Sequence, residues 1–167
     1  MASPAAPVPV RAVEVPPVVR GGGGAAPTQC TVMVEREVRE RFVHYQTLAK
    51  AQTGREPTNA VVVRRAFLAA KRQDQWAQLQ ERVRSRRQPL SEEDYDPDGL
   101  FGDVPARRVE RGGVRNSTQQ SFRPSEQELR VYDAYAAAHG FANRSDFLDA
   151  VLDAFLPALP GGRRAGR

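Results

Sequence analysis

The segment Thr28-Gln29-Cys30-Thr31-Val32-Met33 has a counterpart 90 residues on, Thr118-Gln119-Gln120-Ser121-Phe122-Arg123. The same offset lays Phe42 on Tyr132 and Tyr45 on Tyr135. Further along, the offset becomes 86 and sets Gly54 on Gly140, Asn59 on Ser145, Val61 on Phe147, Val62 on Leu148 and Ala66 on Leu152. The two offsets differ by about one helical turn of 3.6 residues. The first copy therefore has a helix one turn longer, with its faces kept in phase. Each unit spans roughly 40 residues, too few to bury enough apolar surface alone. Each also holds a single strand, whose backbone N–H and C=O groups need a ladder partner. Pairing the strands antiparallel and packing four helices into one core meets both needs.

Local patterns place the elements. Alternation sets Cys30, Val32 and Val34 on one strand face and Gln29, Thr31 and Met33 on the other. From Arg36 to Gln52, Val38, Phe42, Tyr45, Leu48 and Ala49 share a helical side, and Gly54 stops the helix. Pro57-Thr58-Asn59 opens a second helix through Val61, Val62, Ala66, Ala69 and Ala70. It is expected to run on past Trp76 and Leu79 to about Arg87. In the second copy, Ser125 and Glu128 form a capping box. Leu129, Tyr132, Tyr135 and Ala136 line a helix ending at His139-Gly140, and Asn143-Arg144-Ser145-Asp146 opens the last helix. Phe147, Leu148, Val151, Leu152, Phe155 and Leu156 form its apolar stripe.

The chain thus divides into five parts. A disordered Pro/Gly-rich arm (1–27) precedes a first unit with an extended second helix (28–87). A linker (88–117) follows, in which Glu92, Glu93, Asp94, Asp96, Asp98, Asp103 and Glu110 outnumber the arginines. The second unit (118–157) leads into a basic disordered tail (158–167) with Arg163, Arg164 and Arg167.

Gly140-Phe141-Ala142-Asn143-Arg144-Ser145-Asp146-Phe147, followed by Leu148, Val151 and Leu152, resembles the turn and second-helix start of the ribbon-helix-helix DNA-binding family of the Arc and MetJ type. The resemblance covers 118–157 and extends more loosely over 28–72, where the long first helix and Arg65 in the place of Val151 depart from the pattern. It implies a mainly α fold with a short two-stranded antiparallel β-ribbon, a tandem ribbon-helix-helix. The expectation is an intramolecular pseudo-dimer. The rival is a dimer of chains, and mass at micromolar dilution separates the two.

A two-stranded ribbon fits the major groove. The outward residues, Gln119, Ser121 and Arg123 on one strand and Gln29, Thr31 and Met33 on the other, become candidate base readers. Glutamine suits adenine, arginine suits guanine, and methionine can only touch a thymine methyl. A solvated strand face is the competing reading, more so for the first strand. The resemblance further implies phosphate contacts at the second-helix starts, through Thr58 and Asn59 on one side and Asn143, Arg144 and Ser145 on the other. Ordinary N-capping is compatible with that role.

Charge is lopsided. Residues 31–90 carry 13 basic and 6 acidic side chains, net +7, against 4 and 6 over 114–157, net −2. Phosphate attraction is expected to come mainly from the first half and from Arg82, Arg84, Arg86 and Arg87, although such a cluster is also what a solvated helix end looks like. Only Lys50 and Lys71 are lysines among 25 basic residues, a preference that suits phosphate and guanine but also follows from GC-rich coding.

Other chemistry is poorly supported. His44 and His139 are isolated, and no His/Cys/Asp/Glu cluster has metal-ligand spacing. Cys30 is the sole cysteine and alternates onto the inward face, so a buried thiol is expected. No enzyme activity, metal or cofactor is expected, and Trp76 could pack in the core or on a partner. With no secretory pattern and no apolar run of about 20 residues, a cytoplasmic protein associated with nucleoid or plasmid is expected.

Double-stranded DNA is thus the expected partner, with no membrane contact. The leading role is a transcriptional repressor or autoregulator. The alternatives are a plasmid-partition protein whose arm, with Arg11 and Arg20, contacts a partner ATPase, or a conjugation accessory protein. An antitoxin that binds a toxin through 88–113 belongs to a different class. Self-association on DNA is compatible with the first three.

Overall fold

The computed structural model describes residues 13–15, 17, 28–87 and 117–161. Strand β1 (Cys30–Glu35) runs directly into α1 (Arg36–Thr53), followed by α2 (Asn59–Arg72) and α3 (Trp76–Arg87). Strand β2 (Ser117–Phe122) is followed by α4 (Glu126–Ala138) and α5 (Arg144–Phe155). The described chain is mainly helical with one two-stranded antiparallel ribbon. The linker up to residue 116 and the tail from 162 lie outside the described residues, as does most of the arm. Within the arm, Val13 is partly buried against the core.

The ribbon joins the two halves. Cys30 lies opposite Phe122, Thr31 opposite Ser121, and Glu35 opposite Ser117. Cys30, Val32, Val34 and Phe122 point inward and are buried, as alternation requires. Gln120 also points inward and is 1% exposed. A buried amide is costly unless bonded. Its Oε1 accepts from the Arg39 guanidinium and its Nε2 donates to the Ser121 carbonyl.

One core takes side chains from both halves, including Val38, Phe42, Val62, Ala66 and Phe67 from the first and Tyr132, Phe147, Leu148, Val151 and Leu152 from the second. Helix α5 packs on α2, on α3 and on β1. The caps follow the repeat. Gly54 and Gly140 close α1 and α4 at φ 74° and 75°, the left-handed region that glycine enters cheaply. Thr58 and Asn143 cap α2 and α5, and Ser125 with Glu128 closes a capping box on α4.

Three expectations need correction. The extended second helix is broken: α2 ends at Arg72, Asp74 takes φ 47°, and α3 starts at Trp76. A continuous helix at about 100° per residue would set Trp76 roughly opposite Phe67. The break turns Trp76 back into the core, with its ring 5.8 Å from Phe67 and stacked 5.1 Å from His139. Secondly, the buried stripe of α2 is Val62, Val63, Ala66, Phe67 and Ala70, while Val61 and Ala69 are only partly buried. The stripe is rotated toward the aromatic side chains of α4, which pack on Phe67. Thirdly, Leu48 is 39% exposed because the extra turn of α1 overruns the bundle, and Lys50 to Glu56 are exposed with it.

Candidate nucleic-acid interface

The six outward ribbon residues form one face. Gln29, Thr31, Met33, Gln119 and Arg123 are exposed, and Ser121 is partly buried. Register sets Met33 across from Gln119. In the middle, Thr31 Oγ1 and Ser121 Oγ are 2.9 Å apart and share a hydrogen bond. Arg123 makes no ion pair or hydrogen bond among the described residues.

The second helices of the two halves both begin against this ribbon, each on the other half's strand. Asn59 Nδ2 donates to the Ser121 carbonyl at 2.7 Å, and Asn59 Oδ1 accepts from Gln46 Nε2 at 2.9 Å. Ser145 Oγ accepts from the Met33 N–H at 3.1 Å. Thr58 Oγ1 accepts from Val61 N–H, and Asn143 Oδ1 accepts from Asp146 N–H at 2.9 Å. The Arg144 guanidinium forks onto Asp133 at 2.7 and 2.6 Å, with Nη1 3.5 Å from the buried Cys30 Sγ. The hydrogen bonds to Asp133 hold Arg144 above its usual pKa, so it stays charged. All five side chains singled out for phosphate contact are therefore engaged in holding the fold. What each helix start still offers an anion is its first-turn backbone N–H groups and the positive end of its dipole.

The basic surface is smaller than the count of arginines implies. Arg64 pairs with Glu128 at 2.7 Å. Arg86, assigned above to the phosphate-attracting cluster, instead bridges Glu35, Asp149 and Asp153. Arg82 and Arg84 are exposed on α3. Arg41 is 9% exposed and serves the fold.

Periodicity alone missed Gln120, Arg41 and Asp149. Gln120 could have been found, since the alternation that exposes Gln119 must bury its neighbour. Asp149 and Asp153, one turn apart on a helix whose neighbour α3 carries Arg86, were a weaker clue. No described helix is long and apolar enough to cross a membrane. Comparison with family models, curated proteins and solved structures finds no match to this chain.

Proposed function

We propose that this chain is a sequence-specific double-stranded DNA-binding protein, built as a tandem ribbon-helix-helix whose two units pair within one chain as a pseudo-dimer. The observation that carries the proposal is the outward ribbon face. Thr31 and Met33 from β1 and Gln119 and Ser121 from β2, with Gln29 and Arg123 one residue beyond the strand ends, make up this set. Five of the six are exposed, and each second helix begins against the opposite strand. A ribbon of this width enters the major groove, where Arg123 and the two glutamines have the donor and acceptor sets that distinguish base pairs. The helix starts beside it direct N–H groups toward the flanking phosphates. Occupying a groove beside a promoter blocks transcription, and repression is the role we assign.

The test is selection of bound duplexes from random DNA by the full chain, followed by affinity measurement across salt concentrations. A shared motif and a linear fall of log K with log salt are expected. A second arm replaces Arg123 with alanine, which should cost about 1–3 kcal/mol on the selected motif and relax one base preference. Binding without any enriched motif would reduce the protein to a non-specific DNA coat, and unchanged discrimination in Arg123→Ala would remove that residue from the reading set.

A further inference from the structure

We infer that the ribbon reads DNA from one end, so that its site is non-palindromic and its strictest base pair, a G·C pair, lies under Arg123 with no equivalent under Met33. This rests on the DNA-binding reading and adds to it the class of sequence recognised. Two identical strands paired antiparallel would present the same side chains at both ends of the ribbon. Here the ends differ. Register pairs Met33 with Gln119 inside the ladder, which ends at the Cys30–Phe122 pair, with Gln29 and Arg123 the next residues beyond it on the two chains. One end therefore carries an amide and a guanidinium, and the other an amide and a thioether that is 41% exposed. A guanidinium takes guanine O6 and N7 together, whereas a thioether has no hydrogen to donate and meets at most a thymine methyl. The middle adds little, because the Thr31 and Ser121 hydroxyls already bond each other at 2.9 Å.

The flanking helix starts reinforce the same end. Asn59, which opens α2, is bonded to the Ser121 carbonyl, two residues from Arg123. Ser145, in the first turn of α5, is bonded to the Met33 amide. The first turn of α2 contains no acid, whereas that of α5 contains Asp146. A carboxylate at a helix start offsets the positive dipole end that would attract phosphate. Arginines on both helices are paired, Arg144 with Asp133 and Arg64 with Glu128, so the electrostatic difference between the helix starts lies in Asp146. Base chemistry and backbone electrostatics thus favour grip at the Arg123 end.

The experiment scans single base-pair replacements through the motif selected from random DNA, measuring Kd for the full-length chain at fixed salt. Replacing the G·C pair at one end should weaken binding by about 5- to 150-fold, the range of one bidentate contact, and its mirror position should respond far less. Arg123→Ala should abolish that requirement. Met33→Arg should create a guanine preference at the mirror position, making the preferred site more nearly symmetric. Both residues are exposed, so thermal unfolding of each variant should match the parent. A palindromic motif with equal losses at both ends, or a Met33→Arg protein indifferent to the mirror base, overturns the one-ended reader and leaves the DNA-binding proposal standing. Absence of any enriched motif defeats both.

Discussion

The two sides of the α2–α5 crossing carry matching sequence positions but opposite chemistry. Under the 86-residue offset, Val63 and Phe67 on α2 match Asp149 and Asp153 on α5. At the α2 end, the Phe67 ring sits 5.0 Å from Tyr135, 5.3 Å from Tyr132, 5.8 Å from Trp76 and 6.3 Å from Phe147. At the α5 end, Asp149 Oδ1 accepts the Glu35 N–H at 2.9 Å. Arg86 lies 3.0 Å from Glu35 and 2.9 Å from Asp153. Arg41 reaches Asp153 Oδ1 at 2.6 Å and also donates to the carbonyls of Asp153, Leu156 and Pro157, closing the C-terminus of α5. The same helix crossing is thus sealed by aromatic burial on one side and by ions on the other. Burial scales with area and is nearly indifferent to pH, while an ion network depends on protonation.

The sharpest way to break this comparison is at the aromatic end. Phe67→Ala should cost about 3–5 kcal/mol in urea unfolding, as buried Phe truncations do. Because Phe67 touches rings from both halves, the loss should appear as one cooperative transition moved to lower denaturant. Two separate transitions would mean that the halves have independent cores. Arg41→Ala should come next, at about 2–3 kcal/mol, since it strands carbonyls at a helix end that the guanidinium now satisfies. The offset of 90 places Val131 at the matching position of α4, and valine has no side-chain hydrogen-bond donor to offer a helix end. An Arg41→Ala protein as stable as the parent would show that water caps α5 equally well.

This asymmetry marks the limit of what the sequence alone reveals. Strand alternation, both glycine stops, the capping box and the inward set of α5 were legible because each depends on residues a few positions apart. The outward ribbon face was legible for the same reason. The break before Trp76 was not, because it answers a packing demand from His139 and Phe147 of the other half. Nor was the structural work of Asn59, Arg144 and Ser145 legible. Each is a plausible phosphate ligand by type, and only the crossing of each helix onto the opposite strand shows its present partner. Arg86 illustrates the point for charge: counted as basic surface, it is held by three carboxylates.

The ionic end carries its own signature. Burial raises the Asp149 carboxyl to about 6, with the Glu35 amide and Arg86 pulling the other way and the Glu35 and Asp153 charges adding to the rise. A folded-state value above the ordinary carboxylate value means that ionisation disfavours the fold. The favourable contribution is complete below about pH 4 and is lost as pH climbs through 6. Asp149→Asn removes the titration and keeps an oxygen for the Glu35 N–H. Between pH 4 and 7 the parent should therefore lose on the order of 1–2 kcal/mol relative to this variant, read from urea midpoints at a series of pH values. The Phe67→Ala difference should stay level over the same window. A level difference for Asp149→Asn as well would mean that Arg86 compensates the carboxylate fully, and the two ends would then be alike in their response to pH.

The smallest effect is expected where the repeat sets a charged residue against a core residue. Arg65 matches Val151, which is fully buried in α5. On α2 the stripe is rotated, so Arg65 is exposed and its Nη1 donates to the Tyr45 hydroxyl at 3.1 Å. Tyr45 is held independently, packed edge-to-face on Phe155 with ring centroids 5.2 Å apart. Arg65→Ala should therefore shift stability by less than about 0.5 kcal/mol, as exposed polar contacts do. Unfolding in parallel with Arg41→Ala makes the comparison direct, since both are arginines bonded to oxygen and differ chiefly in burial. A loss as large as that of Arg41 would mean that α2 is also secured by charge, and that the rotation of its stripe toward the aromatic cluster is not what stabilises the first unit.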